Sequence, residues 1–397
     1  MEPAVFGTHD ERTLEQLRDV ASRAERAALM ADGHLGYVMP IGGVAAYDGR
    51  VSVAGVGFDI ACGNAAIRTD LHESDLAPNA QAAADRIAVA ISFGVGRSNA
   101  ADDAPTDHPL FRDEAWEAVP RAHRERLRER ARAQLGTVGG GNHYVDVFAD
   151  EDGDVWVGVH FGSRGFGHAV ASGTMALAQG AAWDQRVRPA ETLLPLDSEL
   201  GRAYWSLMNL AGRYAYAGRE WVARKAVELL GGRELELVHN HHNFAWQERH
   251  DGRDLVVVRK GATPAFPGQR SFVGGSMGDD AVIVEGASDV PGGSEAQRAA
   301  LFSTVHGAGR VMSRTEAAGR RKSRRRTRGK VDPAEMRSWV EGRGVVLRGG
   351  GLDEAPQAYR RLPDVLAAQG DTIRVVRRLR PLIVAMAGDE VVDPYKD

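Results

Sequence analysis

The chain has 397 residues, with 50 lysines plus arginines against 54 aspartates plus glutamates, a formal charge of −4 and one cysteine. That length supports a large buried core, since single cores stop growing near ~250–300 residues. The charge excludes a globally basic nucleic-acid binder but leaves room for a local positive channel.

With Cys62 alone, no intrachain disulfide can form, so a reducing compartment, the cytoplasm, is expected. No stretch approaches the ~20 apolar residues of a membrane span, and a soluble protein is expected. From the N-terminus, apolar positions at Leu14, Leu17, Val20, Ala21 and Ala24 predict an amphipathic helix over 11–32, ended at Gly33. Further helices are predicted over 79–91, 114–135, 172–185 and 198–230. Strands are predicted over 51–56, 155–160, 235–238, 255–258, 281–284 and 373–376. There is no regular βαβ rhythm, repeat or long linker, which predicts one compact α+β domain over 1–397.

Many of the 47 glycines gather in loops that also hold chemistry-bearing side chains, at 55–63, 136–143, 160–167, 261–278 and 306–314. Glycine lets a ligand approach backbone N–H groups closely, so phosphate or metal binding is expected there. In Gly57-Phe58-Asp59-Ile60-Ala61-Cys62-Gly63, a carboxylate and a thiol three residues apart can face one ion, although a free cysteine is more often a small buried hydrophobe. His143, His160 and the group His239, His241, His242 would complete two metal sites sharing one thiolate. Ligand softness alone suggests zinc. Alternation places His239 and His241 on one strand face and His242 on the other, so periodicity does not select the ligand.

A third set runs from His306 to Arg314. An imidazole opening a small-residue turn beside Arg310 and Arg314 suits a nucleophile or base acting on phosphorus, and the two arginines would share a face if a helix follows. A structural histidine in a helix-opening loop is the plainer alternative. The basic run Arg320, Arg321, Lys322, Arg324, Arg325, Arg326, Arg328, Lys330 would suit a nucleic-acid backbone or a solvated loop, and it has no aromatics for base stacking.

Taken in order, Asp32-Gly33-His34-Leu35-Gly36, Gly57 to Gly63, Gly141-Asn142-His143, His160-Phe161-Gly162-Ser163-Arg164-Gly165, His242-Asn243, Arg259-Lys260-Gly261-Ala262, Gly275-Ser276-Met277-Gly278 and His306-Gly307-Ala308-Gly309-Arg310 with Ser313-Arg314 resemble the RtcB family of RNA ligases over about 30–388. The resemblance implies mixed sheets around a central two-metal cleft. It also implies a GTP- and Mn2+-dependent enzyme joining RNA 3′-phosphate or 2′,3′-cyclic phosphate ends to 5′-hydroxyl ends, in RNA repair or tRNA splicing, with an activating protein partner as a further expectation. Asp59, Cys62 and His143 would hold one manganese, and Cys62, His160 and His242 the other. His306 would carry the guanylate. Asn142, Asp146, Ser276, Gly307, Ala308, Gly309 and Tyr359 would bind the nucleotide, and Arg164, Lys260, Arg310 and Arg314 phosphates or RNA.

Three departures stand out. Asp146 replaces the family's usual glutamate, Met386-Ala387-Gly388 replaces its usual Val-Lys-Gly ending, and the basic insertion over about 318–332 is unlike the usual sequence. A divergent phosphoesterase that opens RNA ends without joining them, or a noncatalytic RNA-binding protein, are the competing readings.

Overall fold

The computed structural model describes residues 2–322 and 325–388, without the side chains of 321–326. Arg324 and the tail beyond Gly388 therefore lie outside the described residues, and of the basic run Arg320, Arg328 and Lys330 are exposed, with Lys330 paired to Glu316 at 3.0 Å. The fold is α+β, with helices set against two large sheets.

The larger sheet has eight strands. Its order in space is Arg270–Val273, Ala281–Gly286, Ile373–Gly388, Tyr144–Ala149, Asp154–Phe161, Gly63–His72 and Glu234–His241, with Val346–Gly350 running parallel to Ile373–Gly388. Its two ends approach each other. The Asn64 side chain donates to Phe272 O at 2.8 Å, and Phe272 N donates to Asn240 Oδ1 at 3.3 Å, so two buried amides nearly close the sheet into a barrel. Alternation sorts the side chains: Tyr144 and Phe148 point to a cluster with Trp156 and Phe272, while Val145 and Val147 join Val157 and Val222 beneath the helices. Asp146 shares the face of Tyr144 and Phe148 by the same period. The second sheet has the order Ala4–Val5, Arg26–His34, Ile41–Tyr47, Arg253–Lys260, Asn243–His250.

Several predicted elements change on folding. The helix expected over 11–32 stops at Ala21, and Arg26–His34 is a strand whose Ala28, Leu29 and Met30 are fully buried. Burial on both faces outweighs the helical preference of its alanines. The strand expected over 51–56 ends at Ser52, whose hydroxyl accepts from Gly55 N and caps a single helical turn, Val53–Val56. Pro120 splits the 114–135 helix into a 3-10 turn, Glu114–Ala118, and the helix Arg121–Gln134. The helix expected over 172–185 runs instead over Arg164–Ala178. The helix Glu199–Leu230 matches its prediction, starting at the Ser198 cap and ending at Gly231 with φ +84°.

Candidate active site

Four chain segments converge at one end of the barrel because their strands are neighbours. Gly63 pairs with Phe161 on one side and with His241 on the other, and Tyr144 pairs with His160. This register brings Cys62 just before one strand, His143 just before the next, His160 near the end of the third and His242 just after the fourth. The Cys62 carbonyl accepts from His242 N at 2.8 Å and Asn243 N at 3.2 Å, locking the cysteine loop to the histidine segment.

Cys62 Sγ lies 3.2 Å from His160 Nε2 and 3.7 Å from His143 Nε2, and all three residues are buried. His143 Nε2 also lies 3.2 Å from Asp59 Oδ2, while its Nδ1 faces Val138 O at 3.1 Å. Val138 O and Arg164 Nη1, the latter at 3.3 Å, both meet Nδ1 and fix the ring with Nε2 turned toward Asp59 and Cys62. The His160 ring is 5.1 Å from the His242 ring, and His242 Nδ1 is buried with no hydrogen-bond partner among the described residues. Gly162 is required beside this group, because a Cβ there would collide with the Asp59 carboxylate.

The electrostatics suit a cation. Burial pushes His160 and His242 well below the usual imidazole range, so both stay neutral and able to donate an electron pair. Burial, then the charge of Asp59, pushes the Cys62 thiol up. Burial raises Asp59 too, but its hydrogen bond to His143 and that ring's charge outweigh this and hold the carboxyl at about 2. A thiol, a carboxylate and three imidazoles form a donor set that a divalent ion fits, and an ion would deprotonate the thiol outright. His239 and His241, by contrast, turn away: they accept from Arg219 at 2.8 Å each.

His306 stands beside this group, its ring 4.9 Å from that of His242. It follows the short strand Ser303–Val305, and its Nδ1 sits 2.6 Å from Oδ2 of the fully buried Asp32. The same oxygen accepts from His306 N at 3.0 Å and Gly307 N at 3.3 Å. A carboxylate on Nδ1 orients the ring and leaves Nε2 as its nucleophilic nitrogen. Asp32 was visible in the sequence only as part of a motif. Nothing in its spacing announced a contact 274 residues away.

A cavity of about 640 Å³, lined among others by Phe58, Asp59, Asn142, His143, Arg164 and Arg314, opens onto the Asp59 side of this centre. Arg164 begins its helix at φ +56°, a strained conformation for a side-chain-bearing residue. Arg310 is engaged inside the protein. It donates to Met312 O, Asp353 O, Glu354 Oε2 and the Tyr359 hydroxyl. The helix that would align it with Arg314 starts only at Arg314, because Ser313 caps it there with Glu316. The Tyr359 hydroxyl also bonds Glu354, and Arg360 N donates to Gly309 O at 2.9 Å, which fixes Tyr359 beside the His306 loop. The Ser276 hydroxyl donates to Asp279 at 2.7 Å. Asp146 is buried, which pushes its carboxyl well up, and its Oδ1 has no partner among the described residues. Ala308 is buried and Gly309 has φ +71°, so this turn keeps a close-packed backbone next to His306.

Lys260 is buried as well, its ammonium donating to Tyr37 O at 2.7 Å and Ala54 O at 3.2 Å. Burial lowers its pKa to about 8 from 10.5. Between those values the unfolded chain binds more protons than the folded one, so this residue's contribution to stability rises with pH and is lost as pH falls through 8. The unfolding free energy of the native chain minus that of Lys260→Met is expected to grow by up to about 3 kcal/mol from pH 7 to pH 10.5 in urea titrations. A difference that stays constant with pH would contradict the burial.

A family model described as tRNA-splicing ligase RtcB matches residues 14–387. Similar proteins include the tRNA-splicing ligase RtcB of Thermococcus kodakarensis, 32% identical over 457 residues that take in 94% of this chain and 91% of that protein. The RNA-splicing ligase RtcB of Escherichia coli K12 is 31% identical over 383 residues, 90% of this chain and 88% of its own. The RNA-splicing ligase RtcB of Mycobacterium tuberculosis is 32% identical over 427 residues, 89% of this chain and 95% of its own.

Proposed function

Since this chain belongs to the RtcB family, we propose that its centre joins RNA 3′-phosphate or 2′,3′-cyclic phosphate ends to 5′-hydroxyl ends through a guanylylated His306. The chain is an RNA ligase, of a family whose members are named for splicing. The observation that carries the finer reading is the buried donor set of Cys62, His143 and His160, with His242 linking it to an imidazole backed by Asp32.

Asp59, Cys62 and His143 would hold one Mn2+, and Cys62, His160 and His242 would hold a second. When bound, the ions neutralise crowded phosphate oxygens. His306 Nε2 attacks the α-phosphorus of GTP, forming a P–N bond as the bond to pyrophosphate breaks. Asp32 stabilises the positive ring that results. An oxygen of the RNA 3′-phosphate then takes the guanylate, breaking the P–N bond and returning the electron pair to Nε2. The 5′-hydroxyl attacks the activated 3′-phosphorus and GMP leaves. A cyclic end is opened by water beforehand.

Asp146, with an unpartnered buried oxygen, suits the N–H edge of guanine, and Tyr359 supplies a ring for it. Asn142, Ser276, Gly307, Ala308 and Gly309 complete the nucleotide contacts. Arg164 and Arg314, lining the cavity, suit phosphates of the RNA, whereas Arg310 and Lys260 act by holding the surrounding loops. No helix among the described residues is long and apolar enough to cross a membrane. A thiol-dependent centre suits the reducing cytoplasm as its location.

The test mixes RNAs ending in a 3′-phosphate or a 2′,3′-cyclic phosphate with a 5′-hydroxyl RNA, Mn2+ and each of the four nucleoside triphosphates. A longer strand is expected with GTP. Opening of cyclic ends without a longer strand, under every nucleotide, would assign a phosphoesterase instead.

A further inference from the structure

We infer that Arg219 is the positioning residue of the metal centre, one guanidinium that ties together the segments bearing Cys62, His160 and His242. The inference rests on reading those three residues as metal ligands. Arg219 projects from the long helix Glu199–Leu230 and is fully buried. Its Nη1 donates to Ala61 O at 2.8 Å and to Phe161 O at 2.6 Å, its Nε to His239 Nε2 and its Nη2 to His241 Nδ1, both at 2.8 Å. Three of these acceptors are chain neighbours of a proposed ligand: Ala61 precedes Cys62, Phe161 follows His160, and His241 precedes His242.

The surroundings are built for this side chain. Ala61 holds φ +61°, a strained conformation for alanine, with its carbonyl on the guanidinium and its N–H on Asn243 O at 2.7 Å. A Cβ on Gly63 would stand 3.1 Å from Arg219 Cζ and closer still to Asn240 O, so only glycine lets the strand pass. Tyr216, one turn earlier on the helix, stacks on His241 with centroids 3.9 Å apart and lies 5.3 Å from Arg219 Cζ. Among the described residues no carboxylate lies within ion-pair distance of this guanidinium, although a buried cation with neutral acceptors alone is costly. Cys62 and Asp59, with Tyr216 and Glu220, are groups whose negative form would compensate it. A lysine there would keep the charge but not the fork that reaches four acceptors at once.

The experiment titrates Co2+ into the full chain and into Arg219→Lys and Arg219→Gln, following the thiolate-to-cobalt charge-transfer band, with urea unfolding of each metal-free protein alongside. Arg219→Lys is expected to unfold cooperatively yet to lose at least about tenfold in Co2+ affinity and part of the band, and Arg219→Gln to lose more. Unchanged affinity and band in both variants would overturn the inference. So would failure of both to fold without metal, which would make Arg219 a core scaffold. Absence of the band in the unsubstituted chain would overturn the metal reading itself.

Discussion

His306→Ala is expected to leave no covalent nucleotide on the protein and no joined RNA from 3′-phosphate ends, a loss of at least about 10⁴-fold. The expectation follows from the environment of the ring. Its Nδ1 is held 2.6 Å from a carboxylate with no solvent exposure, and the backbone N–H groups of His306 and Gly307 keep that carboxylate in place. Neighbouring rings are engaged differently: Arg219 donates to His239 and His241, and His34 Nδ1 faces the Asp32 carbonyl. Incubation with α-labelled GTP and Mn2+, followed by denaturing electrophoresis, reads the adduct. RNA already carrying a guanylate on its 3′-phosphate should still be joined by the variant, because the last step does not use the ring as nucleophile. A labelled adduct persisting in His306→Ala would place the nucleophile elsewhere.

Cys62→Ser is expected to lose metal binding by at least about 10²-fold and the adduct with it. The sulfur lies within 3.7 Å of two imidazole nitrogens, and its backbone carbonyl anchors the His242 segment. A serine hydroxyl stays protonated where a thiol becomes thiolate, so the variant keeps the loop but not the charge. Metal content after gel filtration, by elemental analysis, reads the effect. Full manganese retention in Cys62→Ser would show that the sulfur is a buried hydrophobe.

The sequence exposed those parts of the molecule whose signal is local. The Val-rich run 155–160 and the apolar spacing over 198–230 correspond to Asp154–Phe161 and Glu199–Leu230, because a short β-branched run and a helical period are both local patterns. The Gly-flanked Asp59, Cys62 and His143 stood out for the same reason, and the structure brings them together with His160. The alanine-rich strand Arg26–His34 was hidden, because its composition favours a helix and only burial on both faces makes it extended. Spacing left His239, His241 and His242 undivided and only the resemblance named His242; that His239 and His241 face Arg219 depends on contacts across the chain. Asp32 and Arg219 share that difficulty. One is an acid in a Gly-His motif and the other an arginine on an amphipathic helix, and each acquires its role only from contacts across the chain.

A pair of cations sharing the Cys62 sulfur beside His306, as proposed above, would be seen by anomalous diffraction from crystals soaked in manganese. Two peaks flanking Cys62 Sγ are predicted, one against Asp59 and His143 and the other against His160 and His242. A single peak, or peaks that leave the sulfur uncoordinated, would contradict it.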